Sequence, residues 1–294
     1  MMWQTTRFQI DLTQPKVMGI VNVTPDSFSD GGQFFSPSNG MVSALAHCDK
    51  QVKDGADILD IGGESSRPGA QPLPLADELL RLLPVVRHAL TLGVAVSVDT
   101  YKPEVMQAVL DMGADIINDI WALRQPSALQ AVAAHPNCGV CLMHMHREPQ
   151  TMQLDAMQGD VVAQVQQFLK HRAKLLDALG VTKNRVMLDP GIGFGKTVAQ
   201  NFALLSRQHE LLAEGYPLLV GWSRKSSLAA VSGAPLDRGA QMHIADRMVP
   251  SVTAAVLAVE RGARVVRVHD VRETVQAMKV WTASKMTDSQ QQTS

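Results

Sequence analysis

The chain alternates short apolar runs with longer amphipathic stretches, and this alternation constrains its fold more than any other feature. Eight runs of five to seven residues occupy positions 16–22, 57–63, 94–99, 115–119, 139–144, 185–189, 217–221 and 264–270. The stretches between them carry apolar residues at helical spacing, and several end in Gly-Ala just before the next run. Apolar strands that alternate with helices pack as a parallel sheet. The pattern therefore predicts an α/β fold.

Eight such units in a chain of 294 residues predict a single (β/α)8 TIM barrel over residues 1–283, with a doubly wound open sheet as the alternative. No linker rich in Pro, Gly or Ser divides the sequence. Residues 284–294 are polar, and we expect them to form a disordered tail. The connections after the first and second runs, residues 23–40 and 63–77, are long for this fold, which is typical of binding loops.

Charge and cysteine content restrict the partners and the compartment. Only 19% of the residues are charged and the formal net charge is −1, so the chain has no basic field for nucleic acid or an anionic membrane. The first residues contain no apolar leader segment, so we expect neither a signal peptide nor a membrane anchor. Three cysteines cannot all pair, which is typical of a reducing compartment. We expect a cytoplasmic protein that binds neither nucleic acid nor membrane.

Two of the cysteines form a candidate metal cluster. Cys138 and Cys141 are followed by His144 and His146, and these residue types ligate zinc. The segment has the pattern of a buried strand, however, and residues three apart on a strand point to opposite faces. Two cysteines at that spacing do not clamp one ion, so the pattern favours a structural role.

The glycine-rich segment DPGIGFGKT, residues 189–197, resembles a phosphate-binding loop between a strand and a helix. A P-loop has four residues between its first Gly and the Gly-Lys-Thr, but only three separate Gly191 from Gly195. Pro190 also lacks an N–H that could contact phosphate. The spacing therefore argues against a nucleotide triphosphatase.

Polar residues follow nearly every predicted strand, at the end of a barrel where active sites lie. In chain order they are Asn22, Glu64, Asp99, Asn118, His144, Asp189, Lys225, Arg267 and His269. Any one of them has an alternative role as a turn former, a helix cap or a solvated charge. Their occurrence at all eight strand ends indicates a functional site.

The chemistry of this set points to two kinds of ligand group. Asp99, Asn118 and Asp189 offer acceptors that suit a flat heterocycle with several N–H donors. The cations suit phosphate or pyrophosphate, and two of them, Arg267 and His269, lie two residues apart on one strand face. The remaining cations are Lys225 and Arg67. Asn22, with the loop residues Asp26 and Asp30, suits Mg²⁺, which takes few protein oxygens when it also binds substrate phosphates.

The motifs together resemble the bacterial dihydropteroate synthase family. The matching segments are MGIVNVTPDSFSDGG, GGESSRPGA, SVDTYKPEV, INDI, MHM, LDPGIGFGK, GWSRKSS and RVVRVHDV, in the family's order across residues 18–271. The resemblance implies a (β/α)8 enzyme, usually dimeric, that joins 7,8-dihydropterin-6-ylmethyl diphosphate to 4-aminobenzoate. It also implies a requirement for Mg²⁺, release of diphosphate by a dissociative, SN1-like substitution, and competition by sulfonamides for the aminobenzoate site.

The resemblance further implies roles for individual residues. The pterin ring would be held by Asp99, Asn118, Asp189 and Lys225, in a pocket shaped by Ile120, Met143, Phe194 and Gly221. The diphosphate would be met by Asn22, Ser66, Arg267 and His269, with Asn22 also holding the metal. The aminobenzoate would contact Arg67, Pro68, Phe194 and Ser226. The residues implied in the chemistry are Arg267, His269, Lys225, Asp99 and Asp189.

Two positions depart from the family pattern, and one has no assigned role. Ser66 replaces the common Thr, which keeps a hydroxyl and loses a methyl, and Trp222 stands where a smaller residue is more usual. Lys196 has no role in this scheme. Two rival functions stay open: a pterin-binding domain of a methyltransferase, which needs no diphosphate site, and a noncatalytic pterin-binding subunit.

Overall fold

The computed structural model describes residues 1–23, 37–65, 71–147, 157–233 and 242–291, which contain ten strands and ten α-helices. The strands are β1 (Met2–Gln4), β2 (Gln9–Asp11), β3 (Lys16–Asn22), β4 (Ile58–Gly62), β5 (Ala95–Asp99), β6 (Ile116–Asp119), β7 (Gly139–Met143), β8 (Val186–Asp189), β9 (Leu219–Val220) and β10 (Val265–Val268). The helices are α1 (Pro37–Lys53), α2 (Leu75–Ala89), α3 (Pro103–Asp111), α4 (Ala128–Ala134), α5 (Val161–Ala178), α6 (Val198–Ser206), α7 (Gln208–Leu211), α8 (Ser226–Ser232), α9 (Met248–Glu260) and α10 (Val271–Gln291).

Strands β3 to β10 form one parallel sheet in the order β8-β7-β6-β5-β4-β3-β10-β9. A parallel bridge between Leu188 and Leu218 joins the two ends of this order and closes the sheet into a barrel. Each of these eight strands lies within one of the eight apolar runs. A barrel strand packs against helices on its outer face and against the barrel interior on its inner face, so both faces are largely apolar. The (β/α)8 prediction is confirmed, and the open-sheet alternative is wrong.

The amino end of the barrel is filled by a layer of apolar side chains, one from each strand. They are Met18, Ile58, Ala95, Ile116, Cys141, Met187, Leu219 and Val265. An antiparallel hairpin of β1 and β2 covers this layer with Trp3 and Leu12. The Trp3 Nε1–H donates to the Arg185 carbonyl at 2.9 Å, which joins the hairpin to the barrel. The sequence analysis did not anticipate this hairpin.

A second, larger core lies between the strands and the surrounding helices. Trp222 belongs to it: the ring is buried and its centroid lies 5.3 Å from that of Phe202. Cys138 also packs in this outer core, whereas Cys141 is part of the inner layer. The two cysteines therefore face opposite sides, as the strand spacing predicted.

Helix α10 continues to Gln291, so most of the segment that we expected to be disordered has helical backbone. The helix contains no Gly or Pro that would stop it, although its last residues are polar. Its side chains also bind α9, since Trp281 Nε1 donates to Glu260 at 2.6 Å and Lys285 pairs with the same carboxylate at 2.8 Å. These contacts depend on the tertiary fold and leave no signal in the local composition.

Candidate active site

The polar site lies one step above the inner apolar layer. Residues two apart on a strand face the same side, so the next inward positions are found by adding two to each member of that layer. They are Ile20, Asp60, Ser97, Asn118, Met143, Asp189, Gly221 and Arg267. A further step along three of these strands reaches Asn22, Asp99 and His269. The barrel interior thus changes from apolar to polar toward the carboxyl ends of its strands.

A half-buried arginine joins two aspartates in this layer. Arg267 Nε donates to Asp60 Oδ2 at 2.6 Å, and its Nη2 donates to Asp99 Oδ2 at 2.8 Å. The fully buried Asp60 also accepts from Ser97 Oγ at 2.6 Å and from Asn118 Nδ2 at 3.1 Å. Burial raises the pKa of Asp99 to about 7, and the positive charge of Arg267 opposes that rise. The site therefore holds one arginine between two carboxylates.

Asp189 begins the glycine loop and shapes it. Its Oδ1 accepts the Gly191 N–H at 2.7 Å, and burial raises its pKa to about 6. Gly191 has φ 68°, and a Cβ there would lie 1.8 Å from the His144 carbonyl oxygen. No residue larger than glycine fits this turn without displacing the backbone of the neighbouring strand end.

Lys225 lies against the glycine loop, and its Nζ is 4.2 Å from the centroid of the Phe194 ring. A Cβ on Gly193 would come within 3.1 Å of the Lys225 side chain, so this glycine makes room for it. Burial and then the charge of Arg267 lower the pKa of Lys225 to about 8. Phe194 belongs to an apolar cluster that forms one wall of the site. Its other members are Ile120, Met143, Met145, Tyr101 and Trp121.

Lys196 is buried inside the curl of the same loop and holds it together. Its Nζ donates to the carbonyl oxygens of Gly191 at 2.9 Å and Phe194 at 3.1 Å, and lies 2.9 Å from Nδ1 of His144. Burial and then Lys196 lower the pKa of His144 to about 2, so its ring is neutral and Nδ1 accepts. Lys196 thus fixes the backbone that carries Phe194, a role the sequence did not reveal.

His269 follows β10 and is held by the loop after β9. Its Nδ1 lies 2.9 Å from Ser223 Oγ, which also accepts the His269 backbone N–H at 3.1 Å. The neighbouring Arg224 has φ 59° and forms an ion pair with Asp270 at 2.6 Å. This pair ties the two strand ends together.

Asn22 lies near a second oxygen donor, Asp99 Oδ2, which also accepts from Arg267 Nη2, and oxygens of this kind are the ligands that Mg²⁺ takes. A Cβ on Gly62 would lie 3.8 Å from Asp99 Oδ2 and 3.9 Å from Asn22 Oδ1, so glycine leaves an opening with oxygens on two sides. Two protein oxygens suit Mg²⁺ when substrate phosphates supply the rest. Among the described residues, no group of three or more His, Cys, Asp or Glu side chains is placed to hold a metal by itself.

The structure brings together most of the predicted site residues. Those around the carboxyl end of the barrel are Asn22, Asp99, Asn118, Ile120, Met143, Asp189, Phe194, Gly221, Lys225, Arg267 and His269. Ser226 is the exposed first residue of α8. Ser66, Arg67 and Pro68 lie outside the described residues. Glu64 is bound by Tyr101 and Lys102, in a network with Glu78.

The sequence analysis missed Asp60 and Ser97, because it searched strand ends and these two lie within strands. The inward period of two would have found both, since Ile58, Asp60 and Gly62 share one face. Met145 and Tyr101 pack in the apolar cluster that also contains the predicted Ile120, Met143 and Phe194. The role of Ser223 depends on a loop conformation that no local pattern specifies.

The fold and the site define a class of (β/α)8 barrel with hydrogen-bond acceptors and cations gathered at the carboxyl ends of its strands. Comparison with known families gives this class a name: the chain belongs to the pterin binding enzyme family, which matches residues 18–269.

Within that family the chain belongs with the dihydropteroate synthases. It is 46% identical to the dihydropteroate synthase of Neisseria meningitidis serogroup B over 285 residues, which is 96% of each chain. It superposes on Burkholderia cenocepacia dihydropteroate synthase complexed with 7,8-dihydropteroate with a TM-score of 0.87, 46% identity and 98% coverage of each chain. For Yersinia pestis dihydropteroate synthase with a sulfonamide drug complex, the TM-score is 0.88 and the identity 41%, covering 97% of this chain and all of that one.

Proposed function

We propose that this chain joins 7,8-dihydropterin-6-ylmethyl diphosphate to 4-aminobenzoate and releases 7,8-dihydropteroate and diphosphate. The observation that carries the proposal is the layer of hydrogen-bond acceptors around one half-buried arginine, Arg267, at the carboxyl end of the barrel. Acceptors recognise the N–H donors of a pterin, and an arginine beside them recognises a diphosphate. A methyltransferase domain would need only the first of these features.

The pterin ring is bound by Asn118, Asp189 and Lys225 in this proposal. The Nδ2 of Asn118 donates a hydrogen bond to Asp60, so its Oδ1 is the atom that can accept one from a ligand. Asp189 is buried and acceptor-only when ionised, which suits the N–H groups at one edge of the ring. Lys225 donates to the ring's acceptors. The apolar cluster around Met143 and Phe194 covers the flat face of the heterocycle.

The reaction breaks the C–O bond between the pterin methylene and the diphosphate, and both electrons leave with the oxygen. The dihydropterin delocalises the resulting cation, and the carboxylates of Asp99 and Asp189 stabilise it. Arg267 and His269, which share one face of β10 and its extension, stabilise the charge that grows on the diphosphate. The arylamine nitrogen then forms the C–N bond with its lone pair and releases a proton to solvent. No strong base is required, because an arylamine is neutral near pH 7.

We also propose that Asn22 holds Mg²⁺ in the opening beside Gly62. When bound, this ion neutralises part of the charge on the diphosphate. Its coordination through few protein oxygens agrees with the donors found at this place.

The 4-aminobenzoate site is proposed to lie on the Phe194 side, near Ser226 at the start of α8. Arg67 and Pro68 complete it in this proposal; like Ser66, which is proposed to contact the diphosphate, they belong to the part of the chain outside the described residues. Sulfonamides, which resemble the arylamine substrate, are expected to compete there.

The functional test is product formation by the purified protein with the pterin diphosphate and Mg²⁺, followed by chromatography with and without 4-aminobenzoate. We expect dihydropteroate and an equal amount of diphosphate only when the arylamine is present. Tight pterin binding without product would instead support the noncatalytic subunit. An affinity for pterin that diphosphate does not raise would support the methyltransferase domain.

Homodimer formation and a cytoplasmic location are further proposals. Val249 on α9 and Val280 on α10 are 65% and 73% exposed, which suits a surface that pairs with a second copy. Light scattering on the purified protein tests this. All three cysteines are free, as is typical of a reducing compartment. No helix in the described ranges is long and apolar enough to cross a membrane.

A further inference from the structure

Every hydrogen bond that the Asp60 carboxylate makes to a described residue is to a side chain, as is true of the buried Glu78 of α2. The partners of Asp60 are the side chains of Ser97, Asn118 and Arg267, at 2.6, 3.1 and 2.6 Å. By contrast, the fully buried Asp115 at the opposite end of the barrel pairs with Arg7 and also accepts the backbone N–H groups of Arg7 and Val96. A carboxylate that binds backbone holds the fold, whereas Asp60 orients side chains.

The contact with Asn118 decides which end of that amide a ligand meets. An ionised carboxylate only accepts hydrogen bonds, so Asn118 must turn its Nδ2 toward Asp60. Its Oδ1 accepts no hydrogen bond within the described part of the chain. Without Asp60 the amide has no reason to keep this orientation, and the site loses a fixed acceptor.

The contact with Arg267 leaves the far end of the guanidinium available. Asp60 binds Nε, which is the nitrogen nearest the backbone, while Nη2 binds Asp99 at 2.8 Å. Nη1 makes no hydrogen bond to any described residue. The anchor at Nε therefore permits the terminal nitrogens to exchange Asp99 for a ligand anion without releasing the arginine.

We infer that Asp60 is a positioning residue for the reaction, which sets the donor and acceptor directions of Asn118 and Arg267 without touching the substrate. The kinetic consequences rest on the proposed function, because they assume that Asn118 binds the pterin and Arg267 the diphosphate. The geometric consequence, a hydrogen-bonded Arg267 Nε–H that depends on Asp60, does not.

The test compares Asp60→Leu, which removes the acceptors at similar volume, with Asp60→Asn. The asparagine can place its oxygen toward Arg267 and Asn118 and its nitrogen toward Ser97 Oγ, so it keeps the hydrogen bonds and loses the charge. Asp115→Leu and Asp115→Asn are the matched controls, because they perturb a buried Asp–Arg pair far from the site. Thermal unfolding of every variant measures the structural effect separately.

We expect Asp60→Leu to lower kcat about 100-fold and to raise KM for the pterin substrate about 10-fold. For Asp60→Asn we expect kcat to fall by less than about 10-fold. Folded Asp115 variants should have a kcat and a KM within about twofold of those of the unmodified enzyme. In an Arg267→Ala background, Asp60→Leu should lower kcat by no more than about threefold, since the anchored group is already absent. If Asp60→Leu fails to fold, the same double-mutant cycle is run with Asp60→Ala, which also removes the acceptors.

The inference is overturned if folded Asp60→Leu has the kinetic constants of Asp115→Leu, or if its effect on kcat multiplies fully with that of Arg267→Ala. An independent readout is the NMR signal of the Arg267 Nε–H, assigned by its absence in Arg267→Lys. We expect slow exchange of this proton in the unmodified protein and fast exchange in Asp60→Leu. If the unmodified chain makes no dihydropteroate, the proposed function fails while this signal still decides the role of Asp60. Unchanged exchange in Asp60→Leu would refute that role.

Discussion

Lys196→Met removes a buried ammonium from the centre of the glycine loop. The ammonium has three partners within 3.1 Å, namely the carbonyl oxygens of Gly191 and Phe194 and Nδ1 of His144. Hydrogen bonds from a charged donor contribute about 1.5–3 kcal/mol each. Burying the charge, which lowers the pKa of Lys196 from 10.5 to about 7, costs about 5 kcal/mol. Methionine removes both terms but leaves three buried acceptors unpaired.

We therefore expect Lys196→Met to lower the free energy of unfolding by about 3 kcal/mol at pH 6, where the lysine is protonated. That loss corresponds to a fall in Tm of about 5–10 °C for a chain of this size. Lys170→Met is the control: its side chain is 44% exposed and pairs with Glu214 at 2.7 Å, so the expected loss is below about 1 kcal/mol.

The pH dependence of the difference provides a second check. The pKa of Lys196 is lower in the folded protein than in the unfolded chain, so between pH 7 and 10 the unfolded chain binds more protons. The unmodified protein should gain about 1.4 kcal/mol per pH unit relative to Lys196→Met in that window. Urea unfolding at several pH values measures both quantities. Equal stability of the two proteins at pH 6, or a gap that narrows above pH 7, would refute this account of the loop.

Three further predictions concern other parts of the structure. Gly191→Ala should cost more than about 3 kcal/mol, because its Cβ would lie 1.8 Å from a carbonyl oxygen. Gly113→Ala, at φ 98° with no atom within 4 Å of the added Cβ, should cost only about 1–2 kcal/mol; equal losses in urea would contradict the steric argument. The pH profile of kcat/KM for the pterin substrate should fall on the acid side as Asp99 and Asp189, whose pKa values are about 7 and about 6, are protonated, and above about 8 as Lys225 loses its proton. Lys225→Arg should lack the alkaline fall, and its persistence would assign that limb to another group. Trp222→Phe should cost less than Trp3→Phe in thermal unfolding, because Trp3 Nε1–H has a hydrogen-bond partner whereas Trp222 Nε1–H has none among the described residues; the reverse order would refute this.

The barrel could be predicted because its strands are short, continuous apolar runs separated by helices, a pattern that tertiary context does not alter. The polar strand ends likewise follow from the barrel, since parallel strands bring them to one edge. Asp60 lies inside an apolar run, so a search of strand ends did not find it. The alternation of inward and outward side chains along a strand was sufficient to predict that it faces the barrel interior.

Other features depend on contacts that the local sequence does not contain. The strands of the amino-terminal hairpin have three residues each, which is too short for a periodic signal. The role of Lys196 requires the curl of the glycine loop around it, and α10 is bound through Trp281 and Lys285 to Glu260 on a neighbouring helix. The unpaired Nε1 of Trp222 reflects packing in the outer core, and nothing in the described structure explains why a tryptophan occupies that position.

The central claim is that Arg267 acts on the departing diphosphate rather than on the pterin ring, and Arg267→Ala tests it most directly. The measurement compares kcat for dihydropteroate formation with the Kd for a pterin that lacks the diphosphate. The control is Arg264→Ala, whose side chain lies on the surface near the start of the same strand. We predict a fall in kcat of about 100- to 1000-fold with a change in pterin Kd below about tenfold. Equal losses in kcat and in pterin affinity would contradict the leaving-group role.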